Sequence, residues 1–350
     1  MADRLSPEER LGDARAELDR LWARGCAFLG TRTAIMGGAM SWVSERHLVA
    51  AISNAGGFGV LACGSMMPDR LAEEIAATQA LTRQPFGVNL ITMHPELDAL
   101  VQVCVEAKVG HIVLAGGIPP GNAVRAVKAQ AKLIAFAPAL VLAKRLVRSG
   151  ADALVIEGSE AGGHIGPVSL TVLAQEILPH IREVPVFVAG GLGRGEAILA
   201  YLEMGASGAQ LGTRFAAATE SIAHPGFKAA FLRANARDAL PSVQLDARFP
   251  VIPVRGLVNE GTRRFLEHQA QTVARFLAGD VTKEAAQLEI EHFWAGALRR
   301  AVIDGDVEQG SVMAGQSVGM VTREQSVAGI IDELCDQAAA ALAARVAWPG

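Results

Sequence analysis

Ala153-Leu154-Val155-Ile156-Glu157-Gly158-Ser159-Glu160-Ala161-Gly162-Gly163-His164-Ile165-Gly166 is the stretch whose reading decides the fold. Its first four residues form an unbroken apolar run, the pattern of a strand buried on both faces. At Glu157 the run gives way to a loop with two carboxylates, one hydroxyl, one imidazole and four glycines. Glycine permits positive φ and close approach of a ligand, and histidine moves protons near neutral pH. The functional reading is a flat ligand against the glycines with His164 over its reactive edge. The plain reading is a tight turn whose histidine caps a neighbour. Recurrence of the layout at other strand ends favours the first.

Outward from this stretch one pattern repeats: a short apolar run, then Gly, Pro or Asn, then a helical segment. The runs are 34–36, 59–62, 86–91, 112–115, 133–137, 154–156, 186–189 and 209–211. They recur roughly every 20 to 30 residues, the size of a βα unit. Helical patterns over 44–54, 68–81 and 139–149 fill gaps between them. Eight consecutive units predict an α/β fold, a (β/α)8 TIM barrel, with an open doubly wound sheet as the alternative.

The barrel is expected over residues 31–220. Residues 1–30 read as an N-terminal helical leader: Ser6-Pro7-Glu8-Glu9 is an N-cap signal, and Leu11, Leu18, Leu21 and Trp22 form an apolar stripe. Gly25 and Gly30 are expected to end that helix. Residues 221–305 carry Pro225, Pro241, Pro250 and Pro253, then a charged helical pattern from about Thr262, and read as an inserted, mainly helical lid region. Residues 306–350 read as a C-terminal loop and helix returning to the barrel, with a small, polar segment at Gly310–Gly319.

Composition narrows the function. The chain has 350 residues, 51% hydrophobic and 19% charged, with a net charge of −4. That is a globular composition without the electrostatic footprint of a nucleic-acid binder. Cys26, Cys63, Cys104 and Cys335 are far apart and form neither a zinc motif nor a disulfide framework, so no metal is expected and a reducing cytoplasm fits. The N-terminus has no apolar signal core. The longest apolar run, Leu133–Ala143, is too short to span a bilayer.

In a barrel the chemistry sits at the C-terminal ends of the strands. Those ends read Gly37-Gly38-Ala39-Met40, Cys63-Gly64-Ser65, Asn89, Gly116-Gly117, Pro138, Glu157–Gly166, Gly190-Gly191 and Gly212-Thr213. They are small and carry few charges. Neither the carboxylate pairs of a sugar-cleaving barrel nor the His/Asp sets of a metal barrel appear. The ring suits a large, flat, phosphate-bearing ligand. Gly190-Gly191 with the helix that follows, and Gly212-Thr213, occupy the two loops where barrels bind phosphate. Gly57–Ala62 matches a dinucleotide fingerprint but precedes a strand rather than following one, so a Rossmann domain is rejected. His111 and His180 read as structural, His268 and His292 as solvated. His94 and His224 are secondary pocket candidates, and Cys63 is a candidate thiol at the mouth.

The motifs at 161–166, 189–191, 210–215 and 313–316, in that order, resemble the FMN-dependent nitronate monooxygenase family, also called 2-nitropropane dioxygenase. FMN-dependent enoyl-ACP reductases belong to the same superfamily. The resemblance runs from about Thr33 to about Gly329. It implies FMN held at its phosphate by Gly190, Gly191, Gln210, Gly212 and Thr213. Met40, Asn89, Glu157, Gly162 and Gly163 are implied to lie along the flavin, with Met313, Ala314, Gly315 and Gln316 closing over it. His164 matches the family's catalytic histidine. Two departures stand in the first strand, where Ala34 replaces a usual proline and Gly37 a usual glutamine.

The favoured expectation is oxidation of alkyl nitronates or nitroalkanes by O2 to carbonyl compounds and nitrite. The alternative is NAD(P)H-dependent reduction of an enoyl thioester in fatty-acid synthesis. A flavin-binding module without turnover is disfavoured by His164. A barrel like that of IMP dehydrogenase is disfavoured because no cysteine follows strand six. The expected partners are the small-molecule substrate, nitronate or enoyl thioester, and O2, with neither nucleic acid nor membrane; a homodimer fits equally.

Overall fold

A computed structural model of the chain describes residues 6–64 and 66–346. Ser65, expected at the end of the second strand, lies outside the described residues, as do 1–5 and 347–350 of the expected terminal segments.

The chain opens with helix α1 (Pro7–Leu29). The Ser6 hydroxyl accepts from the Glu9 N–H while the Glu9 carboxylate accepts from the Ser6 N–H, a capping box. Gly30, at φ 75°, ends the helix in the left-handed conformation. Gly25 does not end it. It lies inside the helix, where an added Cβ would meet the Ser207 carbonyl oxygen at 1.9 Å, so its bareness lets α1 lie against the barrel.

Eight parallel strands follow: β1 (Ile35–Gly37), β2 (Gly59–Ala62), β3 (Phe86–Ile91), β4 (His111–Ala115), β5 (Lys132–Phe136), β6 (Ala153–Glu157), β8 (Val186–Ala189) and β9 (Gly208–Leu211), with the two-residue strand β7 (Gly163–His164) between β6 and β8. The eight agree with the apolar runs to within a residue at most ends. The helices between and after them are α2 (Arg46–Asn54), α3 (Pro68–Leu81), α4 (Leu97–Glu106), α5 (Gly121–Lys128), α6 (Leu140–Arg148), α7 (Leu170–Ile177), α8 (Gly195–Glu203) and the short α9 (Thr213–Ala216). The sheet order is β1-β9-β8-β6-β5-β4-β3-β2. A parallel bridge from Met36 to Phe58 brings β1 to β2 and closes the ring. This is a (β/α)8 TIM barrel. Its strands are buried on both faces, β2, β8 and β9 along their whole length, which is why they read as continuous apolar runs rather than alternating ones.

At the N-terminal end of the barrel the Phe28 ring, near the end of α1, meets His111 and Phe187, and Phe58 also meets His111. The His111 Nε2 is 2.9 Å from the Phe28 carbonyl oxygen. Burial there pushes the imidazole down to about 4.

Beyond the barrel come α10 (Pro225–Arg233), β10 (Ala239–Pro241), β11 (Val254–Leu257), α11 (Glu260–Ala278), α12 (Lys283–His292), α13 (Ala297–Arg299) and α14 (Val327–Val346). Phe249, Phe265, Ala286 and Ile290 form a separate small core here. His268 is not simply solvated, since its ring packs against Phe293. A second, antiparallel sheet runs β10-β11-β7, with β11 paired to both neighbours. That sheet was not foreseen, because β7 is too short to show any period.

Candidate active site

The C-terminal ends of the strands surround a cavity of about 820 Å³. Met40, Asn89, Glu157, Gly162, Gly163, His164, Gly190, Gly191, Gln210, Gly212, Thr213 and Met313 all line it. Its remaining wall includes Met93, Ile118, Phe136, Leu142, Ile252 and Leu298 and is mostly apolar. Apart from Asn89 on β3, the named polar groups stand on the β6, β8 and β9 side, while the apolar ones come from the segments after β3, β4 and β5 and, with Ile252 and Leu298, from the region beyond the barrel.

One end of the cavity carries unpaired backbone N–H groups. Gly190 and Gly191 follow β8 with φ 95° and 70°, a reversal that L side chains rarely adopt. Among the described residues, the N–H groups of Gly190, Gly191 and Gly212 meet no acceptor. Unpaired successive N–H groups in such turns form a nest for a phosphate oxygen. The start of α8, expected to share in this, does not: the Gly195 N–H already donates to the Gln337 side chain at 2.8 Å, because α14 packs across it. Arg194 turns outward to pair with Glu196.

Ala314, Gly315 and Gln316 do not line the cavity but back it. The Gly315 N–H donates to the Thr213 hydroxyl at 3.0 Å, and the Gln316 N–H to the Glu160 carbonyl at 2.9 Å. The Thr213 oxygen thus accepts from the return segment, leaving its hydrogen free to donate toward the cavity. A Cβ on Gly162 would stand 2.6 Å from the Gly315 nitrogen, so the two glycine loops stack backbone on backbone. Only Met313 and Ser317 of this segment reach the cavity.

Three side chains in the C-terminal halves of strands, Asn89, Glu157 and Gln210, have no hydrogen-bond partner among the described residues and open onto the cavity. Desolvation pushes the Glu157 carboxyl up to about 7. Glu160, by contrast, caps α7 by accepting from the Leu170 N–H. His164 is exposed to the cavity, and desolvation by its walls holds the imidazole below its ordinary value. A neutral imidazole facing a cavity with an unpaired carboxyl on its floor can take a proton from a bound carbon acid.

The other candidates fall away. The His94 ring accepts from the Glu96 N–H, and the His224 ring from the Gly226 N–H, so both serve as local caps. Cys63 is buried, its thiol pushed up to about 11. Among the described residues no group of His, Cys, Asp and Glu could hold a metal ion, and no helix is long and apolar enough to cross a membrane. Two buried arginines escaped the sequence reading. Arg214 donates to the Gly193 carbonyl at 2.8 Å and reaches Gln325 and Glu333, tying the loop after β8 to the return segment. Arg255 lies on β11. Arg214 falls within the 210–215 motif, but neither arginine's partners can be read locally, since they lie 16 or more residues away.

Comparison with known proteins agrees with this architecture. A profile of the nitronate monooxygenase family matches residues 24–100 and 96–337. The chain is 29% identical to a (3aS,4S,5R,7aS)-5-hydroxy-7a-methyl-1-oxo-octahydro-1H-indene-4-carboxyl-CoA dehydrogenase of Rhodococcus jostii, covering 87% of this chain and 92% of that one. It is 28% identical to a probable nitronate monooxygenase of Bacillus subtilis, covering 84% and 92%. The structure of FabK from Thermotoga maritima superposes with a TM-score of 0.83 at 33% identity, over 93% of this chain and 99% of that one. With most of its length matched by the profile and its cavity at the barrel mouth, the chain belongs to the nitronate monooxygenase family and is an oxidoreductase.

Proposed function

We propose that the chain is an FMN-dependent oxidoreductase in which His164 takes the proton from a carbon acidified by a neighbouring thioester carbonyl or nitro group. The observation that carries the reading is the cavity itself, with unpaired N–H groups after β8 and β9 and His164 on the adjoining wall. Gly190, Gly191, Gly212 and Thr213 would hold the phosphate of FMN, with Gln210 beside them. Asn89 and Glu157 would meet the polar edge of its ring, Met40, Gly162 and Gly163 would lie along it, and Met313 would close over it from the wall that Ala314, Gly315 and Gln316 support. When bound, FMN supplies a two-electron or one-electron acceptor. The division into leader (1–30), barrel (31–220), lid (221–305) and return segment (306–350) belongs to the same proposal.

The protein's own part is proton handling and exclusion of water. Desolvation by the cavity walls lowers the His164 imidazole and so favours its neutral form, the form that acts as a base. Glu157, held near 7, exchanges between donor and acceptor in the same range. A substrate seated against the apolar wall would displace water from the site, which strengthens each of these polar contacts.

Of the two substrate classes we place an acyl thioester first. The wall formed by Met93, Ile118, Phe136, Leu142, Ile252 and Leu298 supports this, since it suits an acyl group larger than a small nitroalkane needs. Similarity to the carboxyl-CoA dehydrogenases of Rhodococcus jostii and Mycobacterium tuberculosis points the same way. This reverses the order drawn from the sequence. Oxidation of nitronates by O2 is the second reading, supported by the family and by the likeness to probable nitronate monooxygenases. The test is anaerobic stopped-flow of the FMN-loaded protein with acyl-CoA, nitroalkane, nitronate and NAD(P)H as separate reductants. Bleaching of the flavin by acyl-CoA, or by NAD(P)H with recovery on an enoyl-CoA, supports the thioester. Bleaching by nitronate or nitroalkane alone overturns that order, and a protein that retains no FMN overturns the whole reading.

A further inference from the structure

Arg255 is only 7% exposed, yet among the described residues no carboxylate lies within ion-pair distance of it. Arg214, the other buried arginine, has Glu333 at 3.4 Å. A buried cation without a paired anion is costly, and Glu160 offsets the burial only at longer range. Its donors go instead to two carbonyl oxygens: Nε to Ser159 at 2.9 Å and Nη1 to Ala239 at 2.6 Å.

Ser159 and the strand that carries Arg255 bracket the loop that holds His164, while Ala239 lies on the neighbouring β10. Ser159 stands near the start of the loop. At its end, β7 pairs with β11 in the register Val254↔His164 and Arg255↔Gly163, and the Ile165 N–H donates to the Pro253 carbonyl at 3.0 Å. The backbone of β11 thus holds the histidine while the Arg255 side chain holds the segment leading to it. The same strand continues to the return segment, through a bridge from Gly256 to Met313 and the Leu257 N–H donated to the Val312 carbonyl.

We propose that Arg255 is a positioning residue for His164: its planar fork, spanning the Ser159 and Ala239 carbonyls, sets the loop so that the imidazole faces the cavity. The inference rests on His164 being the base. A planar guanidinium reaches two carbonyls in fixed directions, whereas an ammonium on a flexible stem does not. Misplacing a reacting group by about 1 Å costs on the order of 10²-fold in rate.

The experiment uses the full chain reconstituted with FMN and the variants Arg255→Met and Arg255→Lys. His164 is titrated by proton NMR, its signal assigned by difference against His164→Gln, and substrate-dependent flavin reduction is followed across pH. In Arg255→Met the His164 titration rises toward that of a solvated imidazole, about 6.5, and reduction slows about 10²-fold. FMN affinity holds, because the cradle lies on β8 and β9. Arg255→Lys restores part of both. A folded Arg255→Met with the wild-type His164 titration and rate overturns the proposal. If that variant does not fold, Ser242→Ala removes the hydroxyl that accepts the Val254 N–H at 3.0 Å and loosens the same strand. It must then shift the His164 titration in the same direction, and an unchanged titration overturns the proposal equally. If His164→Ala reduces at the wild-type rate, the base reading fails, while the titration still judges Arg255.

Discussion

Replacing Gly191 by Asp tests the anion cradle. Gly191 has φ 70°, where an L side chain costs about 1–2 kcal/mol and Asn and Asp are the least penalised. An added Cβ would stand 3.0 Å from the Glu160 Cβ, so that side chain must yield slightly. Asp and Asn share both effects, and only charge separates them. A carboxylate about 4 Å from one phosphate charge, at an effective dielectric of about 20, is repelled by about 4 kcal/mol. That corresponds to a loss of about 10³-fold in affinity. The assay is titration of FMN into each apo-protein, read by quenching of flavin fluorescence, with thermal melts of the apo-proteins as the folding control. Gly191→Asn is expected to bind within about tenfold of the wild type, and Gly191→Asp about 10³-fold more weakly than Gly191→Asn. Equal FMN affinities for two folded variants would refute the placement of the phosphate.

His164→Ala should keep FMN but slow reduction by a substrate that must lose a proton by about 10²–10⁴-fold, while a preformed nitronate retains much of its rate; equal losses on both would refute the base role. Arg194→Ala should leave FMN affinity unchanged, since the guanidinium is exposed and pairs with Glu196; weaker binding would show that it reaches the phosphate. Thr213→Val removes the hydroxyl that accepts the Gly315 N–H and should lower stability by about 1–3 kcal/mol, measured by urea unfolding of the apo-protein. The last prediction concerns pH. His111 titrates at about 4 when folded against 6.5 unfolded, so its contribution is complete above the unfolded value. It is lost as pH falls toward the folded one, by at most about 3 kcal/mol. Glu157, raised to about 7 from 4.5, acts in the opposite sense, its contribution fading as pH rises through that window. Glu157→Gln should therefore show stability rising from pH 4 to 6.5, and a flat profile in urea unfolding would refute the His111 assignment.

The barrel was legible because each of its strands is buried on both faces, and that burial is written into consecutive residues. Val186–Ala189 is an apolar run whichever strands stand beside it. The Ser6–Glu9 box was legible for the same reason, since all its partners lie within one turn. The glycine loop after β8 was legible because unusual φ at Gly190 and Gly191 demands a residue without a Cβ. What the local sequence does not contain is the identity of distant partners. Gly163-His164 is too short to carry a period, and becomes a strand only because Val254-Arg255 arrives beside it. In sequence Gly162 and Gly315 are implied to meet the flavin separately, but in the fold their two backbones touch, leaving no room for a Cβ on either. Gln337 looks like an ordinary helical residue, yet it takes the N–H at the start of α8 that the sequence offered to phosphate. Sequence alone thus determined the barrel and the ends of its strands, through burial and backbone conformation that each segment carries by itself. Which groups remain free to meet a ligand was decided only by the tertiary structure, because a donor is free or spent according to what the rest of the chain brings against it.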